Sequence, residues 1–330
     1  MGFICFIEWG RVKDAFKQSK VRFGDVEPIS SVAVTPDSKY IISGDSEGVI
    51  TLWDIKSGKV VRTFKGHTGI VNSVVITADG KYLLSGSDDK TLKLWSVKKG
   101  NLIRTFKGHS GEVNCIAITP DSKYVLSASF DETMKLWDIK SGKLLRTFKG
   151  DSGSVLSVAI TPNGKYAISG TDGGVLKLWE LNSGKIIRTT KKESIMISAV
   201  AITPNGKYAL FSGGGGLWLW DIKSGRLTPP TIGGEANAIS SIAITSDGRY
   251  ALTGGVEDCD HGILELWNIK SKKLVRTSMN GKFTAGSINA VAITPDNRYA
   301  VIAGLEDPKT CSCDNNVDVN GTLELWKLEP

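Results

Sequence analysis

Seven tryptophans at near-constant spacing constrain this chain more than any other feature. Trp53, Trp95, Trp137, Trp179, Trp220, Trp267 and Trp326 are separated by 42, 42, 42, 41, 47 and 59 residues. A second series opens a turn at Thr35, Thr77, Thr119, Thr161, Thr203, Thr245 and Thr294, usually as Thr-Pro-Asp or Thr-Pro-Asn, and a tyrosine follows shortly after. From threonine to tryptophan is 18 residues in the first four repeats, 17 in the fifth, 22 in the sixth and 32 in the seventh. The extra length therefore sits in one place of the last two repeats. Self-similarity at such a period marks an architecture whose units bury their faces only against their neighbours.

The second repeat shows the internal plan: VNSVVIT, the turn ADGK, YLLSG, the turn SDDK, TLKLWSV, the turn KKGN, then LIRTF. These are short segments rich in β-branched and aromatic residues, bounded by the turn formers Gly, Asp and Asn, and they predict four antiparallel strands. Seven such sheets cover one another only when stacked radially, so the expected fold is all-β, a seven-bladed propeller of four-stranded antiparallel blades. The last repeat stops at Glu324-Leu325-Trp326-Lys327, after its third strand. Residues 17–24, KQSKVRFG, align with the outer-strand segment LIRTFKG, so an N-terminal strand is expected to complete the last blade and close the ring. One domain then spans 17–330. Residues 1–16 stay unassigned, and Phe3, Ile4, Phe6, Ile7 and Trp9 are expected to pack on the propeller or to meet a partner.

Gly66-His67 and Gly108-His109 ahead of a repeat, with Leu-Trp-Asp or a variant near its end, resemble the Trp-Asp (WD) repeat family over about residues 17–330. The near-identity of the first four repeats resembles prokaryotic members. The resemblance implies a hydrogen-bonded tetrad of His, Ser or Thr, Asp and Trp in each intact blade. It is complete twice: His67, Ser85, Asp89 and Trp95 in blade 2, and His109, Ser127, Asp131 and Trp137 in blade 3. Ser87 and Ser129 are the neighbouring alternatives for the hydroxyl. In blade 1, Asp25 and Glu47 stand in the His and Asp places, and in blade 4 Asp151 and Gly173 do. A Ser-His-Asp grouping of this kind, with the imidazole against a buried indole, reads as structural and not as a nucleophilic triad.

The resemblance also implies that the loops flanking the tetrad open on one face and the other turns on the opposite face. Lysines such as Lys39, Lys81, Lys123 and Lys165 then gather on the turn face, and Asp88, Glu112, Glu132, Asp172 and Glu257 on the tetrad face. The expected function is a non-catalytic platform for other proteins or peptides, with Phe130 as its anchor and Ile70, Asn72, Asp88, Glu112, Asn114 and Asp172 around it. Two alternatives stand beside it. Nucleic acid or another acidic partner would use the basic face of this chain, whose net charge is +7. A metal-dependent site or enzyme would use Cys259, His261, Cys311 and Cys313 on the two enlarged loops, three thiolates and an imidazole being a tetrahedral zinc set; apart from that zinc no cofactor is expected. Asn316, Asp318 and Asn320 resemble the start of a calcium loop that Lys327 fails to close. Five cysteines, an odd number, argue against a disulfide framework and for a reducing cytoplasm. No stretch of about 20 apolar residues is present to span a membrane. The chain is expected to be a monomer.

Overall fold

The computed structural model describes residues 21–23, 26–150, 153–191, 195–214, 216–229, 236–257, 261–277, 285–306 and 320–328. They form seven four-stranded antiparallel sheets. Blade 2 is typical: Val71–Ile76 nearest the axis, then Tyr82–Ser87 and Thr91–Ser96, with Leu102–Lys107 outermost. In blade 7 the outer strand is N-terminal. Val21–Arg22 pairs antiparallel with Gly321–Lys327, Val21 opposite Leu325 and Arg22 opposite Glu324. The ends of the chain thus share one sheet. Residues 1–16, and 17–20 and 24 of the expected closing strand, lie outside the described residues.

The first turn of each blade is built by its own side chains. Thr77 Oγ1 donates to Asp79 at 2.6 Å, the Asp79 carboxylate accepts the Lys81 N–H, and the Tyr82 N–H donates back to Thr77 Oγ1. The same network recurs in all seven blades, with Asn163 and Asn205 replacing the aspartate in blades 4 and 5. This satisfies backbone groups that a tight turn would otherwise leave unpaired.

Each blade buries its faces against the next. The cluster between blades 2 and 3 contains Leu84, Leu92, Leu94 and Phe106 from one blade and Val113, Val125 and Trp137 from the other. Full burial of one such side chain contributes about 1.5–3 kcal/mol. Polar side chains tie the innermost strands around the ring: Ser30 Oγ donates to Val71 O at 2.7 Å, Asn72 to Val113 O at 3.2 Å, Asn114 to Val155 O at 2.9 Å and Ser198 Oγ to Ile239 O at 2.7 Å. Asn289 of blade 7 donates to Ile29 O of blade 1 at 3.0 Å and ties the last blade to the first. No helix among the described residues is long and apolar enough to cross a membrane.

Candidate functional site

In blade 2 the Trp95 indole N–H donates to Ser85 Oγ at 2.9 Å, Ser85 Oγ lies 2.7 Å from His67 Nε2, and His67 Nδ1 lies 2.6 Å from Asp89. Blade 3 repeats this with Trp137, Ser127, His109 and Asp131 at 2.9, 2.7 and 2.7 Å. An indole N–H can only donate, so each serine accepts it and donates onward to Nε2, leaving Nδ1–H for the carboxylate. Both imidazole side chains are fully buried. Burial holds both histidines below their ordinary pKa, outweighing the pull of Asp89 and Asp131, so they are neutral at pH 7. Burial pushes the Asp89 carboxyl up, yet hydrogen bonds from His67 and Thr91 outweigh it and leave the group far below the usual carboxylate range. Asp131 is lowered in the same way by Thr133 and His109. The neighbouring hydroxyls serve elsewhere: Ser87 Oγ donates to Gly69 O, and Ser129 Oγ accepts the Asp131 N–H.

Half of this network survives outside blades 2 and 3. Trp53 donates to Ser43, Trp179 to Ser169 and Trp267 to Thr253 at 2.9–3.0 Å. In blade 7, Ile302 takes the hydroxyl's register position, and Trp326 donates instead to the buried carboxylate of Glu324 at 2.8 Å. In blade 5 the position is Phe211, stacked on Trp218, and the Trp220 N–H has no acceptor among the described residues.

The loops on the tetrad face hold the predicted contact residues. Phe130 is 46% exposed and Ile70 36%. The Phe130 N–H bonds to Glu112 O, the Asp88 N–H to Ile70 O and the Asp172 N–H to Ser154 O, so adjacent blades present equivalent loop pairs. Gly111 makes the Phe130 loop possible, because a Cβ there would stand 2.7 Å from the Asp131 nitrogen. Glu132 and Asp172 are exposed, and Asp88 and Glu112 are half-buried. Asn72 and Asn114 have another duty: their amides join one blade to the next, and Asn72 also donates to Asp88 at 2.5 Å. Sequence reasoning missed Met196, which is 56% exposed on the same face, one residue before the Ile197 N–H that bonds to Thr171 O. Its signal was position: Met196 stands one residue before the buried Ile197, as Ile70 stands before Val71 in blade 2.

His261 is exposed beside the strand Gly262–Asn268, and its carbonyl accepts the Glu257 N–H. Cys259, Cys311 and Cys313 lie outside the described residues. Among the described residues no group of three His, Cys, Asp or Glu is placed to hold a metal.

A family model described as the IFT122 first beta-propeller matches residues 28–319, most of the chain. No curated protein matches it at a significant level.

Proposed function

The chain belongs to the family of the IFT122 first beta-propeller, of WD-repeat type, and from that premise we propose that it is a non-catalytic platform that holds a protein partner on its tetrad face. The observation that carries this reading is the trio Ile70, Phe130 and Met196, large apolar side chains exposed on loops that also carry Asp88, Glu112, Glu132 and Asp172 and a single turn lysine, Lys90, in the place of Glu132. An aromatic anchor in a polar rim is the usual composition of an interaction hot spot. The rim is acidic, so the partner segment is basic around an apolar residue. Catalysis by the Ser-His-Asp groups is disfavoured because both ring nitrogens of His67 and His109 are engaged and neither side chain reaches solvent.

Affinity capture with the native chain, Phe130→Ser, Ile70→Ser and, as an outer-rim control, Leu102→Ser tests the reading. A partner lost with the first two variants and kept with the third supports it. A partner set that none of the three alters overturns it.

A further inference from the structure

The outer strands of blades 1–4 share one irregularity. In each a β-bulge interrupts the pairing with the third strand, so that Val61, Ile103, Leu145 and Ile187 are extra residues with no partner opposite. A bulge re-aims the side chain it carries, and all four remain 42–47% exposed. In two places this residue enters a cavity between blades on the turn face. Ile103 lines one of about 590 Å³ between blades 2 and 3, and Leu145 lines one of about 460 Å³ between blades 3 and 4. The apolar lining of the second is Tyr124, Leu136 and Leu145 from blade 3 and Leu181 from blade 4. Leu136 and Leu181 belong to the core between these blades, so an aliphatic group resting on Leu145 extends a surface that is already packed from below.

Charge separates the two cavities. Between blades 2 and 3 the lining holds Asp79, Asp121 and Asp138 against Lys123 and Lys140. Between blades 3 and 4 it holds Asp121 alone against Arg146 and Lys165. The Asp121 carboxylate is engaged by its own turn: it accepts from Thr119 Oγ1 at 2.6 Å and from the Lys123 N–H at 3.1 Å, and the Lys123 ammonium lies 3.5 Å away. Lys39, Lys81 and Arg249 pair with a turn aspartate in the same way. In blade 4 that aspartate is replaced by Asn163, which keeps the hydrogen bonds with Thr161 and the Lys165 N–H but carries no charge. The Lys165 ammonium therefore has no carboxylate partner among the described residues. Arg146 reaches across from the outer strand, its guanidinium donating to Asn182 O at 2.7 Å. A carboxylate entering this cavity meets two cations and one carboxylate already bound to its own turn, whereas three carboxylates stand in the neighbouring one.

We propose that the cavity between blades 3 and 4 docks a short acidic segment of a partner protein, an aliphatic residue resting on Leu136, Leu145 and Leu181 and an adjacent carboxylate pairing with Arg146 and Lys165. Its volume, about 460 Å³, lies in the range of pockets that enclose a compact ligand. Every residue that lines it is described, and blade 7, which holds the first and last described strands, stands across the ring from it. The segment is acidic, whereas the partner on the tetrad face is basic, so the two surfaces recognise different sequences and either can fail alone.

The probe is a fluorescein-labelled peptide, Ser-Gly-Asp-Leu-Asp-Leu-Gly-Ser, titrated into the full chain and followed by anisotropy. Saturable binding is expected, weaker by about ten-fold or more when both peptide leucines become Ser, when both aspartates become Asn, and when the protein carries Lys165→Glu or Leu145→Asp, changes at exposed positions that leave the fold intact. Three variants keep full affinity: Lys207→Glu, the same change of charge on the next blade's turn; Ile103→Asp, in the cavity between blades 2 and 3; and Phe130→Ser, on the tetrad face. The proposal is overturned by absence of saturable binding, or by undiminished affinity of Lys165→Glu or Leu145→Asp. An equal loss with Lys207→Glu overturns it too, because the attraction would then belong to the basic face as a whole, and an equal loss with Ile103→Asp would move the site to the other cavity.

Discussion

The Arg104 side chain of blade 2 occupies the space a Cβ would need at Gly142 of blade 3: its Cδ lies 2.5 Å from that position, and its guanidinium donates to Lys140 O at 3.1 Å. Gly142 also has φ 78°, where a side chain is strained. Gly142→Ala is therefore expected to destabilise the chain by about 1–3 kcal/mol. Combining it with Arg104→Ala should cost less than the sum, because the first clash disappears. Urea unfolding of the two single variants and the double variant measures this. Lys272 stands at the corresponding turn position of blade 6 with φ 56°, so Lys272→Gly should instead stabilise the chain by about 0.5–1 kcal/mol.

The tetrads make stability depend on pH in two steps. His67 and His109 have folded pKa values below the unfolded 6.5, so the unfolded chain binds their protons first. Their contribution is complete above pH 6.5 and is lost as the pH falls through the lower folded values. Asp89 and Asp131, held below 3.8, add a second loss below that pH. Melting temperature should fall from about pH 6.5 downward. The double variant His67→Gln and His109→Gln should melt lower at pH 8 but lose the first step, the one that begins below pH 6.5.

Glu132 has φ 63° in the tight turn before the third strand of blade 3, and Lys90 has φ 67° in blade 2, where blades 1 and 4 place Gly48 and Gly174. Left-handed backbone disfavours a residue with a Cβ. Glu132→Gly should stabilise the protein by about 0.5–1 kcal/mol, read as a raised urea midpoint with an unchanged slope.

The tryptophan period, the turn threonines and the missing strand of the last repeat made the ring and its closure legible in the sequence. Those features act within one repeat, where spacing is informative. Relations between repeats were harder to read. Asn72 and Asn114 look like free polar loop residues until the next blade's carbonyl is placed beside them. The loss of phenylalanine from the outer strands after blade 3, Thr190 standing in its place in blade 4, means little until Phe148 is seen against Trp179 of the following blade. Glu324 reads as a surface residue in an alternating strand, yet it is 1% exposed and serves the Trp326 indole because Ile302 offers no hydroxyl. In the candidate site, Phe130 was legible as an aromatic in a turn of acidic residues. Met196 was not, because blade 5 departs from the repeat there.

Hydrogen exchange of the propeller, alone and bound to the partner recovered by capture, tests the central claim most directly. The account predicts slowed exchange at Thr68–Asn72, Ser110–Asn114 and Phe130–Glu132 on the tetrad face, with the turn face around Lys81 and Lys123 unchanged. Protection confined to the turn face would contradict it and would assign recognition to the basic surface.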